Sequence, residues 1–251
     1  MARMISIHSF RGGTGKSNTT ANVASLLAVQ GYRVGVIDTD IQSPGIHVLF
    51  NLDDDAVKHS LNDYLWGKCE IEEAAHDVTA NLGIRVAGQI FLVPSSMKTG
   101  EITRIVNQGY DPGLLSDGFE RLIEQLDLDV LIVDTHPGLN EETLLSIAVS
   151  DVLIIIMRPD NQDFQGTSVT VEVARKLDIQ RMLLLVNKVP TSFNTETVKQ
   201  QVEQTYNCDV AGVLHHSDEL MDLSSSGIFA IKYPDHPLTK TWKHVAAQLM
   251  E

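Results

Sequence analysis

Seven residues, Arg11-Gly12-Gly13-Thr14-Gly15-Lys16-Ser17, restrict the fold of this 251-residue chain more than any other stretch. An apolar run, Met4-Ile5-Ser6-Ile7, leads into them and a helix-forming run, Ala21 to Val29, leads out. Strand, glycine-rich turn and helix in that order make a cradle for phosphate. Three glycines let the backbone fold around an anion. N–H groups of the turn and helix start, together with the Lys16 ammonium, neutralise β- and γ-phosphates, and Ser17 stands where a hydroxyl can hold Mg²⁺. The strict pattern G-x-x-x-x-G-K-[ST] is not met, because Phe10 occupies its first glycine position. The plainer alternative is a glycine turn before a helix.

The order of elements supports the cradle. Val23, Ala24, Leu26 and Leu27 recur at helical spacing, Gly31 marks a helix end, and Arg33 to Asp38 reads as a buried strand, which completes a strand–helix–strand unit. Short apolar runs return at Ile90 to Val93, Val130 to Val133, Val152 to Met157, Met182 to Val186 and Val210 to Leu214. Amphipathic stretches at Gly113 to Gln125, Asn140 to Ser150, Gln165 to Lys176 and Thr195 to Tyr206 separate many of them. The expected fold class is α/β: a doubly wound, mostly parallel sheet with helices on both faces and ligands at the carboxyl ends of its strands. With 43% hydrophobic residues and no linker-like tract, residues 1–251 are expected to form a single domain.

Two strand ends carry carboxylates. Asp38-Thr39-Asp40 ends the second strand, with a locally capped turn as the alternative, and Ser43-Pro44-Gly45 favours an irregular loop after it rather than an immediate helix. Leu131-Ile132-Val133-Asp134 is an apolar strand ending in an acid, the Walker B arrangement for holding Mg²⁺. Thr135-His136-Pro137-Gly138 follows, and Val186-Asn187-Lys188 closes another buried strand.

With these motifs in order, the chain resembles the ParA/MinD family of deviant Walker ATPases, whose loop carries a signature lysine directly before its double glycine; Arg11 stands at that position here. The likeness covers essentially the whole chain and implies a P-loop NTPase fold with ATP and Mg²⁺ as cofactors. Carried over position by position, it implies that Gly12, Gly13, Thr14, Gly15, Lys16, Ser17 and Asn18 cradle the nucleotide. Asp38 would support Mg²⁺ with Ser17 and Asp134, and Asp40 would position the attacking water. Gly138 would offer its N–H to the γ-phosphate, and Asn187 would recognise the adenine edge. Arg11 would reach across a dimer to the partner's nucleotide, its planar fork keeping the lysine's charge but not its shape; a solvated arginine is the alternative. His136 replaces an apolar or proline position of the family's D-x-P-P-G and is read as a hydrated loop residue. His215 and His216 are adjacent in an extended segment and so point to opposite faces, which argues against a shared metal.

Composition limits the surroundings. Cys69 and Cys208 lack any metal-ligand spacing, so the ligand cysteines of the cluster-carrying relatives of this loop are missing and a reducing, cytoplasmic setting is expected. A formal charge of −14 disfavours a chain-wide DNA-binding field. A local basic patch from Arg158, Arg175, Lys176, Arg181 and Lys188, or from Lys232, Lys240 and Lys243, keeps non-specific DNA open as a partner. The last helical stretch, Thr239 to Leu249, carries Trp242, Val245, Ala246 and Leu249 on one face at the spacing of a core-packing helix and the chain stops after it, so no membrane anchor is expected. The resemblance implies a switch: two subunits close on ATP, slow hydrolysis speeded by an adaptor protein reopens them, and a cargo is positioned or partitioned. A non-hydrolysing ATP-bound scaffold and an ATP-dependent small-substrate enzyme are the alternatives.

Overall fold

Strands buried on both faces must be apolar along their whole length, and the runs with that character pair side by side in this computed structural model, which describes residues 2–251. The strands are β1 (Arg3–His8), β2 (Arg33–Asp38), β3 (His76–Asp77), β4 (Gln89–Val93), β5 (Val130–Asp134), β6 (Val152–Met157), β7 (Arg181–Val189) and β8 (Val210–His215). They form one eight-stranded sheet in the order β3-β4-β2-β5-β1-β6-β7-β8. Every pairing is parallel except that of the two-residue β3 with β4.

The longer helices, α1 (Lys16–Val29), α4 (Thr99–Gln108), α5 (Gly113–Gln125), α6 (Glu141–Ala148), α7 (Asn161–Lys176), α8 (Thr195–Tyr206) and α11 (Pro237–Met250), cover both faces. The short α2 (Ile46–Leu49), α3 (Leu61–Leu65), α9 (Asp218–Asp222) and α10 (Phe229–Lys232) fill the connections. Side chains alternate along each strand, so Ile5, Ile7, Val34 and Val36 pack toward α1 and α11, whereas Met4, Ile37, Leu131 and Val133 pack toward α5. Further along the sheet, Leu153, Ile155, Leu184 and Val186 meet α7 and α8. Helix α1 is buried on nearly every side, which suits a sequence rich in Ala, Val and Leu with no strong polar stripe.

The doubly wound parallel architecture is the one expected, and each apolar run and each amphipathic stretch named above lies within or overlaps a strand or helix. The segment after β2 is irregular through Gly45, as expected from Ser43-Pro44-Gly45, and α2 begins only at Ile46. Residues 46–82 then run through single helical turns and β3, too short to leave a periodic signature.

The approach of β4 to the end of α1 depends on Gly88. Its N–H donates to the Ala28 carbonyl at 2.9 Å, and a Cβ there would lie 2.0 Å from the Tyr32 carbonyl oxygen. Gly88→Ala is therefore expected to destabilise the protein by roughly 1–3 kcal/mol, read as a lower midpoint in urea unfolding at unchanged slope.

Candidate nucleotide-binding site

The parallel sheet delivers the ends of β1, β2 and β5 to one edge, and the glycine-rich loop closes over it. Gly13 and Gly15 have φ of 74° and 100°, the left-handed region where only glycine is unstrained. Gly15 caps α1 with no side-chain hydrogen bond, and no acidic residue lies in the first turn. The N–H groups of Lys16, Ser17 and Asn18 therefore stand at the positive end of the helix dipole with no side-chain cap. Lys16 itself is only 7% exposed.

Strand β7 braces this loop from the side. Asn187 donates Nδ2 to the Thr14 carbonyl at 2.7 Å and accepts the Lys188 N–H on Oδ1 at 2.8 Å; Lys188, at φ 56°, donates Nζ to the Gly13 carbonyl at 2.9 Å. The Asn187 amide, expected to read a base, is thus held by backbone groups on both ends. It still borders a cavity of about 280 Å³ beside the loop, with Asn18, Lys188, Leu220 and Trp242 among its walls. Trp242, read from the sequence only as core, brings an indole Nε1–H that is buried without a partner. A cavity next to an uncapped helix start and a buried lysine fits a nucleotide, with the phosphates at the loop and the base beside Trp242.

Asp38 and Asp134 are register partners on β2 and β5, each 1% exposed. Asp38 accepts the N–H groups of Asp40 (3.0 Å) and Gly45 (3.2 Å), and Asp134 accepts the Thr20 hydroxyl (3.2 Å). Burial, then the charges of Asp134 and Asp40, drive the Asp38 pKa well above the ordinary carboxylate value. Burial likewise raises Asp134 to about 6, against the pull of Lys16 and the hydroxyls of Ser17 and Thr20. Two crowded hard-oxygen donors with a hydroxyl beside them fit a divalent cation such as Mg²⁺, whose charge would offset both costs.

Asp40 is met by His136, whose Nδ1 lies 2.6 Å from Asp40 Oδ1. The reading of His136 as simply hydrated is corrected by this contact. Nearby, His8 at the end of β1 is fully buried, with Nδ1 2.8 Å from the Thr135 hydroxyl. That hydroxyl donates to the Ile7 carbonyl, so it accepts from His8 Nδ1–H and leaves Nε2 as an unpartnered lone pair. Burial first, then the charge of Lys16, lower the His8 pKa to about 3. Gly138, at φ 87°, gives its N–H to the Ser9 carbonyl at 3.1 Å.

Arg11 is engaged within its own chain. Its guanidinium forms two hydrogen bonds to Asp160, at 2.7 and 2.5 Å, and further ones to Gln162 and Asp163 at the start of α7. The solvated-arginine alternative is thereby corrected. Phe10 lies on α7 where Gly166 leaves room: a Cβ on Gly166 would sit 2.0 Å from Phe10 Cδ1. Several cations of the supposed basic stretches are also committed internally: Arg158 to Asp163, Arg181 to Glu251, Lys188 to Gly13 and Lys243 to the Pro234 carbonyl.

Residues 2–188 match the family model described as an AAA domain (AAA_31). The chain belongs to that AAA domain family. Over its full 251 residues it is 27% identical to an uncharacterised ATP-binding protein of Methanocaldococcus jannaschii, of which the alignment covers 88%. The septum site-determining protein MinD of Bacillus subtilis is 22% identical over all of this chain and 90% of its own length. The fold of this AAA domain is that of MinD from Pyrococcus horikoshii in complex with Mg-ADP: TM-score 0.80 at 21% identity, covering 99% of this chain and 96% of that one.

Two consequences follow for the site. Because unfolded histidine binds a proton near pH 6.5 and buried His8 does so only near 3, His8 supports stability above pH 6.5 and loses that support as pH falls toward 3. The stability deficit of His8→Gln relative to wild type, from urea unfolding, should accordingly shrink by about 1 kcal/mol between pH 7 and 5.5. Asp134→Asn removes one of two crowded carboxylates, so the nucleotide-free variant should melt a few degrees higher, on the order of 1 kcal/mol, in thermal unfolding while losing Mg²⁺-dependent ATP affinity.

Proposed function

We propose that residues 1–251 form a single ATPase domain that acts as an ATP-dependent dimerisation switch, hydrolysing ATP slowly in the cytoplasm to position or partition a cargo. The observation that carries this reading is the uncapped start of α1, with buried Lys16, facing the carboxylates Asp38, Asp40 and Asp134 across one sheet edge.

Each residue has a task. The N–H groups of Gly13 to Asn18 and the Lys16 ammonium bind and neutralise the β- and γ-phosphates. Ser17, Asp38 and Asp134 would hold Mg²⁺, which when bound supplies positive charge to the phosphate oxygens. Asp40 orients the water that attacks the γ-phosphorus, and Gly138 turns its N–H from Ser9 to the γ-phosphate. Catalysis of this kind rests on placed charges and an oriented water, with no covalent intermediate. Trp242 and Asn187 border the adenine.

Arg11 reaches the partner's nucleotide only by leaving Asp160 and Asp163, so dimer closure exchanges one set of anionic partners for another. An adaptor protein that favours the closed arrangement would speed turnover. The internal pairing of several basic side chains gives non-specific DNA less support than a protein cargo surface. Among the described residues no helix is long and apolar enough to cross a membrane, and Trp242, Val245 and Leu249 of α11 are buried.

Light scattering with no nucleotide, with ADP and with Mg·ATP tests the switch. A dimer should form only with Mg·ATP and persist longest in Asp40→Ala. Lys16→Ala should lose nucleotide binding by at least 100-fold, and Arg11→Ala should bind ATP yet dimerise at least tenfold more weakly. A monomer in every state, despite measured ATP binding, would overturn the proposal.

A further inference from the structure

Asp38 and Asp134 are register partners at the ends of β2 and β5, and two residues beyond each of them the chain places Asp40 and His136 in hydrogen-bond contact at 2.6 Å. The contact joins the loop after β2 to the loop after β5, where the sheet's own ladder has ended. Thr39 makes the last backbone link, its N–H donating to the Asp134 carbonyl at 3.0 Å.

We infer that His136 is a positioning residue for hydrolysis: its Nδ1–H fixes the Asp40 carboxylate so that the free oxygen, Oδ2, faces the attacking water. This rests on the proposed ATPase reading. Asp40 Oδ1 accepts twice, from His136 Nδ1 and from the Ser43 N–H at 3.1 Å, and these two bonds set the plane of the carboxylate. Oδ2 is left as the acceptor for water. The backbone that carries the imidazole is tied to the first turn of α6, because the His136 carbonyl accepts the Thr143 hydroxyl at 3.3 Å. Both side chains are partly shielded, at 22% and 14% exposure, where a hydrogen bond to a charged group holds geometry better than in open water.

In the reaction, the water oxygen bonds to the γ-phosphorus as the bond to the β,γ-bridging oxygen breaks. ADP keeps the electron pair, and the water's proton passes to the phosphate product or to solvent. His136 touches none of these atoms and acts only through Asp40.

The test is single-turnover phosphate release from limiting Mg·ATP by a saturating excess of the full chain, with affinity measured separately from a fluorescent ATP analogue. His136→Ala and the ring-preserving His136→Phe should slow release at least tenfold with affinity changed less than twofold. His136→Asn, which places an N–H close to the position of Nδ1, should stay within about threefold of wild type. In an Asp40→Asn background, His136→Ala should cost nothing further.

Equal rates for wild type and His136→Ala would overturn the positioning role and leave the ATPase reading intact. So would a loss confined to affinity, or an undiminished cost in the Asp40→Asn background. Tight ATP binding by wild type with no phosphate release would overturn both. Thermal melting of each variant identifies any loss caused by unfolding, and His136→Asn then carries the comparison.

Discussion

Two carboxylates placed side by side where water scarcely reaches are held only at a cost, and Asp38 and Asp134 are such a pair. Parallel pairing of β2 and β5 forces them together, because their strands end in register. Repulsion and lost hydration both oppose ionisation there, and Lys16 relieves part of the cost at Asp134. The positive end of α1 adds to that relief from the same direction. The edge of the sheet thus combines concentrated negative charge with a cationic loop beside it, an arrangement most stable when a metal and a polyphosphate complete the charge balance. Instability of this type is how a site stores binding energy for its ligand.

The glycine-rich loop is held from several sides. Asn187 and Lys188 fix its carbonyls from β7, Gly138 holds Ser9 from the β5 side, and the start of α7 holds Arg11. Carbonyls that are already bonded outward cannot turn toward an anion, so the loop's N–H groups are presented inward. Order present before binding lowers the entropy lost on binding.

Much of this was legible in the sequence, for a physical reason. Strands covered on both faces must be continuously apolar, so β5 and β6 announce themselves. The phosphate loop is a local structure whose glycines, lysine and serine are adjacent in sequence. The connections from 46 to 82 were not legible, because single helical turns such as α2 and α3 carry no periodicity. The partners of individual site residues were hidden too. His136 and Asp40 lie 96 residues apart, Arg11 and Asp160 149 apart, and Lys188 and Gly13 175 apart. Only the register of the sheet brings such pairs together, and one sequence does not encode register in any local pattern. Trp242 was recognised as buried, but spacing alone did not reveal that it also borders a cavity.

Phe10 fills volume on α7 that Gly166 leaves free. The aromatic ring and the missing methyl group are two halves of one shape, although the residues lie on different elements. Neither position drifts alone: a larger residue at 166 evicts the ring, and a glycine at 10 leaves a dent in the helix surface. A side chain at 166 is therefore compatible only with a small residue at 10, such as the glycine of the strict phosphate-loop pattern.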